Sequence, residues 1–145
     1  MIHTFTVLGE PRGKARPRFT RTGRPYTDAK TREYERLVRA AFTASGGRMH
    51  TGPVIVSISA FHAVPQSWPK GKRERALRND LLPVRKPDAD NIAKIVLDAL
   101  NGAAWADDTQ VVRLAVDKTF AEYGGMVRVT IAALNEDGSV ADANQ

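Results

Sequence analysis

The sequence contains no cysteine. Disulfides, thiolate metal ligands and cysteine nucleophiles are therefore excluded. It has no apolar run near the roughly 20 residues that cross a bilayer. Its opening, MIHTFTVLGE, lacks the basic and apolar regions of a secretory signal, and the chain reads as cytoplasmic. The three histidines, His3, His50 and His62, show no H-E-x-x-H spacing. His62 reads as a packed or exposed strand residue rather than a base. No P-loop glycine pattern occurs, so no nucleotide cofactor is expected, and no G-x-S-x-G points to a serine hydrolase.

What is present is an uneven charge. The 145 residues carry a net charge of +6. Residues 1–50 hold 11 Lys/Arg against 4 Asp/Glu, and residues 51–86 hold 7 against 2. Residues 87–145 reverse the balance, with 4 against 10. A basic first half joined to an acidic second half suggests a polyanionic partner beside a local acidic site. A length of 145 residues fits one domain with a sizeable core.

The chain divides into readable segments. IHTFTVLG alternates and is β-rich, which predicts a strand. Residues 10–27 hold three prolines, two glycines and six Lys/Arg, which predicts an exposed basic loop with a short hairpin at RTGR. Thr27 or Asp28 can cap a helix running to about Ser45, with Tyr34, Leu37, Val38, Ala41 and Phe42 as its apolar stripe. PVIVSISAFHAV predicts a second strand. SWPKGKRERALRNDLLP predicts a short cationic helix or a mobile loop. ADNIAKIVLDALNG predicts a helix buried through Ile92, Ile95, Val96, Ala99 and Leu100. QVVRLAVDKTFAEY and MVRVTIAAL predict two strands that meet in a hairpin at the intervening GG. Residues 1–134 thus form one α+β domain, a mixed or antiparallel sheet with packed helices. The tail, 135–145, is expected to be disordered.

The segment KPDADNIAKIVLDALNGAAWADD holds five aspartates. Asp88 and Asp90 sit at the predicted helix start, and Lys94 stands one turn above Asp90. Taken singly, each has a plain reading: Asp88 as a cap, Asp90 as a partner of the helix dipole, Lys94 as an i,i+4 partner, Asp107 and Asp108 as turn formers. Together they form a set suited to a divalent cation, because Mg²⁺ and Mn²⁺ prefer carboxylate oxygens and water. The tight loop NGAAWADD is expected to bring a further carboxylate back to the helix start. Asp98 reads as the solvated partner of Lys94, and Trp105 as a packing anchor for the loop. Trp68 is left between core and DNA.

The combination D-x-D-N-x-x-K…W-x-D-D-x-Q-V, with the opening GEPRGKARPRFTRTGRPYTDAKTREYERLV, resembles the RusA-type Holliday-junction resolvases. The resemblance covers most of residues 4–134. It implies a homodimeric, Mg²⁺-dependent endonuclease, with Mn²⁺ able to substitute, that places paired nicks in four-way DNA junctions. It implies that Asp88, Asp90, Lys94 and Asp108 are catalytic, the three aspartates holding metal, with Asp107 as the alternative to Asp108. Charge assigns the phosphate grip to Lys14, Arg16, Arg18, Arg21 and Arg24, helped by Lys72, Arg73 and Arg75. A non-catalytic nucleic-acid-binding module and a metal-dependent nuclease for other branched DNA are the rival readings.

Overall fold

The computed structural model describes residues 2–141. Its elements in chain order are β1 (Ile2–Leu8), β2 (Arg18–Phe19), β3 (Pro25–Tyr26), α1 (Ala29–Ala44), β4 (Val54–Ala63), α2 (Lys70–Leu77), α3 (Ala89–Leu100), β5 (Val111–Ala121) and β6 (Met126–Ala133). Four strands make a mixed sheet in the order β1-β6-β4-β5, and β2 pairs with β3 in a separate hairpin. This is the expected α+β domain.

β4 is the central strand. It exposes little on either face, and Val54, Val56, Ile58 and Ala60 are at most 1% exposed. It pairs antiparallel with β6 and parallel with β5. A parallel neighbour requires a crossover, and α2 and α3 supply it between β4 and β5. α1 and α3 pack together over the sheet. The core joins Phe5, Val38, Phe42, Ile58, Ile95 and Ile131 with the fully buried Trp105. Each large apolar side chain buried this way contributes about 1.5–3 kcal/mol.

β5 and β6 do not form the predicted hairpin, because β4 lies between them. The glycines serve a different purpose. A Cβ on Gly125 would fall within 2.7 Å of the Glu10 backbone, and Gly125 O accepts from Gly9 N at 3.1 Å. Smallness here admits a crossing chain rather than a two-residue turn. Local sequence shows that two strands are near each other in the chain, but not which third strand separates them.

α1 begins where expected. Asp28 is its N-cap, accepting from Thr31 N at 2.7 Å. Its buried face is Thr31, Tyr34, Val38 and Phe42, while Leu37, placed in the stripe from sequence, is 42% exposed. The buried face is narrower than the apolar one, because α1 covers only one side of the sheet. Of the segment expected to be disordered, residues 135–141 include a turn: Asn135 N donates to Ser139 O, and Ala141 N to Ala133 O, each at 2.8 Å. Residues 142–145 lie outside the described residues.

Candidate active site

α3 carries the first acidic pair. Asp88 is its N-cap by backbone geometry, and Asp88 O accepts from Ile92 N at 3.0 Å. The Asp88 side chain makes no capping hydrogen bond. The usual reason for aspartate at this position is therefore not what its carboxylate serves here. Asp88 and Asp90 are both exposed at the positive end of the helix dipole. Lys94 is exposed one turn on, 3.8 Å from Asp98. Ile92, Ile95, Val96, Ala99 and Leu100 are fully buried beneath them, as the periodicity predicts.

The approach to Asp88 is built by close backbone contact. Lys14 N donates to Asn91 O at 2.9 Å. A Cβ on Gly13 would lie 2.8 Å from Pro87 Cβ and 2.9 Å from Asn91 Cβ. The basic loop is thereby pressed against the start of α3, leaving a cleft walled by Gly13, Ala15, Arg16, Lys86, Asp88 and Asn91. The Lys86–Pro87 bond is cis.

Lys14 itself turns inward. Its ammonium meets Glu35 of α1 at 2.5 Å and Asp98 of α3 at 3.1 Å, and its side chain is 16% exposed. Burial alone would lower its pKa, but the hydrogen bonds to Glu35 and Asp98 outweigh that and hold it above the ordinary lysine value. Asp98 keeps the Lys94 pairing that the helical spacing suggests, at 3.8 Å, but its nearer partner is Lys14, at 3.1 Å. Only the three-dimensional meeting of loop, α1 and α3 could reveal this.

The other expected phosphate contacts face solvent. Arg16, Arg18, Arg21 and Arg24 are exposed on the loop and hairpin. Lys72, Arg73 and Arg75 are exposed on α2, with Lys72 Nζ 4.0 Å from the centre of the Trp68 ring. Trp68 packs in a second small core with Val64, Ala76 and Phe120. The Phe120 ring also lies 5.6 Å from the Arg85 guanidinium. α2 therefore hangs at the same end of the sheet as the Arg85–Asp88 segment.

A polar cluster around the buried His62, which sequence did not signal, supports that end. Glu10 Oε1 accepts from Ala63 N at 2.8 Å, and Glu10 Oε2 lies 3.6 Å from His62 Nδ1. Arg85 is 4.0 Å from the same carboxylate, and Lys118 Nζ donates to Arg85 O at 2.6 Å. His62 is 2% exposed, so the packed reading holds. Its burial, then the Arg85 cation, keep the imidazole pKa below the ordinary value despite Glu10. Spacing across 52 residues between Glu10 and His62 left no pattern to find.

Asp107 and Asp108 occupy the opposite end of α3. Asp107 caps a single 3₁₀ turn, Asp108–Gln110, and accepts from Thr109 N at 3.1 Å in a capping box with Gln110. Asp108 Oδ1 accepts from Trp105 Nε1 at 2.7 Å. Gln110 Nε2 donates to His50 O at 2.9 Å and Gly52 O at 3.0 Å, pinning this turn beside the start of β4. A 12-residue helix is about 18 Å long, and it stands between Asp108 and the Asp88–Asp90 pair. The loop does not return to the helix start as expected, because Trp105 is drawn into the core by bridges to His50 and Asn101. Among the described residues no three His, Cys, Asp or Glu side chains converge on a common metal position.

Comparison with known proteins decides the family. Residues 9–132 match the family model "Endodeoxyribonuclease RusA". The chain belongs to the RusA endodeoxyribonuclease family. It is also 40% identical over 126 residues to the "Uncharacterized protein YqaN" of Bacillus subtilis (strain 168), covering 81% of this chain and 87% of that one. The RusA match spans the basic loop, both ends of α3 and the Trp105–Gln110 turn together. No helix among the described residues is long and apolar enough to cross a membrane.

Proposed function

We propose that this RusA-family chain is a divalent-metal-dependent endonuclease that nicks four-way DNA junctions in pairs as a homodimer. The observation that carries the reading is the exposed Asp88 carboxylate, unused for capping, at the mouth of a cationic cleft with Asp90 beside it.

The donor set fits the ion. Mg²⁺ binds through one or two carboxylates plus water and phosphate, and Asp88 with Asp90 provides that. Mg²⁺, or Mn²⁺ in its place, would be held by Asp88 and Asp90 and would supply polarisation of the scissile phosphodiester and activation of water near neutral pH. Lys94 offsets the charge that grows on the phosphate oxygens. Arg16 and Lys86 hold flanking phosphates at the cleft. Arg18, Arg21, Arg24 and the α2 cations extend the grip along the DNA arms.

A third carboxylate, Asp108, reaches the same ion only between subunits. β5 is an edge strand whose Val112 and Leu114 are 55% and 46% exposed. Antiparallel pairing of two β5 edges about a two-fold axis sets the start of one β5 beside the end of the other. Asp108 lies at the start of β5, and Arg85, three residues before Asp88, is bonded to Lys118 near its end. Each Asp108 then approaches the acidic pair of its partner.

The test uses purified protein, Mg²⁺ and synthetic duplex, fork, flap and four-way substrates. Paired nicks confined to the four-way junction are expected, and Asp90→Asn should bind without nicking. An Asp90→Asn variant that nicks like wild type would falsify the site, and preference for fork or flap would move the substrate to other branched DNA. Mixing Asp90→Asn with Asp108→Asn checks the shared site. A heterodimer keeps one intact site if the carboxylates come from two subunits, so single nicks should return. No recovery places all three in one chain.

A further inference from the structure

Three depressions adjoin along the Arg12–Arg16 segment. The first, about 290 Å³, is walled by Ala29, Tyr34 and Leu37 with Arg12 and Lys30. The second shares Arg12 and Lys30 and continues over Gly13, Ala15, Lys86 and Pro87. The third shares those last four and opens on Asp88. They form one groove from the side of α1 to the acidic end of α3, with cations along its length.

The far end of this groove has a different chemistry. Its lining is largely apolar, and Glu33 at its rim is neutralised by Arg36 through contacts of 2.6 and 3.1 Å. Tyr34 is 4% exposed, and its hydroxyl makes no hydrogen bond of ordinary geometry among the described residues, with the Arg12 backbone its polar neighbour on the groove side. A buried hydroxyl without a partner favours a ligand that supplies one. Leu37, exposed against the expectation of its stripe, is the other wall.

We infer that the groove leads one DNA strand to Asp88 and Asp90, and that the Tyr34–Leu37 depression holds one unstacked nucleobase of that strand. The inference rests on the nuclease reading and extends it. Phosphates follow the cations Arg12, Lys30 and Lys86. An aromatic hydroxyl and an aliphatic wall suit a flat, apolar ring with a hydrogen-bonding edge. Unstacking costs least where a base is already unpaired, as at a branch point. The pocket would thereby set which nucleotide beside the branch is presented for cleavage.

The experiment separates this from catalysis. Four-way junctions carrying 2-aminopurine at successive positions around the branch are bound to the full chain in EDTA, where no nicking is needed. One position should brighten several-fold as its base leaves the stack. Leu37→Glu, at an exposed position that leaves the fold intact, should abolish that signal, and Tyr34→Phe, which removes only the hydroxyl, should reduce it. Repeating the walk with Mg²⁺ should place the nick at a fixed distance from the bright position. If no position brightens, or if Leu37→Glu leaves the signal unchanged, the pocket is not a base site. A wild-type protein that shows the signal but never nicks would overturn the nuclease reading and leave the base pocket standing.

Discussion

Trp105 Nε1 donates a 2.7 Å hydrogen bond to Asp108 Oδ1, and the indole that makes it is fully buried. The core thus aims a surface carboxylate. Trp105→Phe keeps most of the buried area and removes the donor. Groups that orient metal-binding side chains typically matter about 10–100-fold, so nicking should fall by that order while the melting temperature moves little. Equal loss of activity and folded protein would reduce Trp105 to a packing residue.

The neighbouring aspartates should separate cleanly. Asp107→Ala removes the cap of the 3₁₀ turn and should cost about 1 kcal/mol of stability with nicking retained. Asp108→Asn should leave stability near wild type and stop nicking. Chemical denaturation and a junction assay on both variants check this, and the reverse pattern would make Asp107 the functional carboxylate.

Lys14 and Arg16 should differ although sequence groups them. Lys14→Gln breaks the bridge to Glu35 and Asp98 and should cost about 2 kcal/mol of stability. The raised Lys14 pKa means that this contribution is fully present below 10.5 and is lost as pH rises through the higher folded value. The stability gap between wild type and Lys14→Gln should therefore stay constant from pH 6 to 9 so far as Lys14 is concerned. Arg16→Ala should leave stability alone and flatten the salt dependence of DNA binding by about one ion per lost phosphate contact. Titrations at several salt concentrations distinguish the two.

Gly13→Ala adds a single methyl where Pro87 and Asn91 leave no room. The loop must retreat from α3, which alters the cleft beside Asp88. Overpacking of this kind costs about 1–3 kcal/mol, and the Mg²⁺ concentration for half-maximal nicking should rise. An unaltered Mg²⁺ requirement would show that the cleft tolerates the displacement.

Acid should destabilise the fold through His62 and His50. Burial lowers both pKa values from the ordinary 6.5; His62 also faces Arg85, Lys118 and the partly offsetting Glu10, and His50 faces His3. The unfolded chain takes up these protons below about that pH and the folded chain resists, so stability falls as pH drops through it. Melting curves from pH 7.5 to 5 should show this slope, and His62→Gln with His50→Gln should flatten it. An unchanged slope would assign the acid sensitivity to other groups.

The sequence by itself determined most of the elements and pointed to the family. Apolar spacing determined α1, α3 and the strands, since burial on one face imposes a period that survives in the chain. Motif spacing selected the aspartates, Lys94 and the basic loop. Tertiary structure alone decided that β4 separates β5 from β6, that Lys14 turns inward to Asp98 and Glu35, and that Leu37 faces out. It also decided that a helix about 18 Å long separates Asp108 from Asp88 and Asp90 within one chain. The reason is that strand neighbours and ion-pair partners depend on contacts between residues far apart in the chain. Local periodicity carries which face is buried, and holds no record of what buries it.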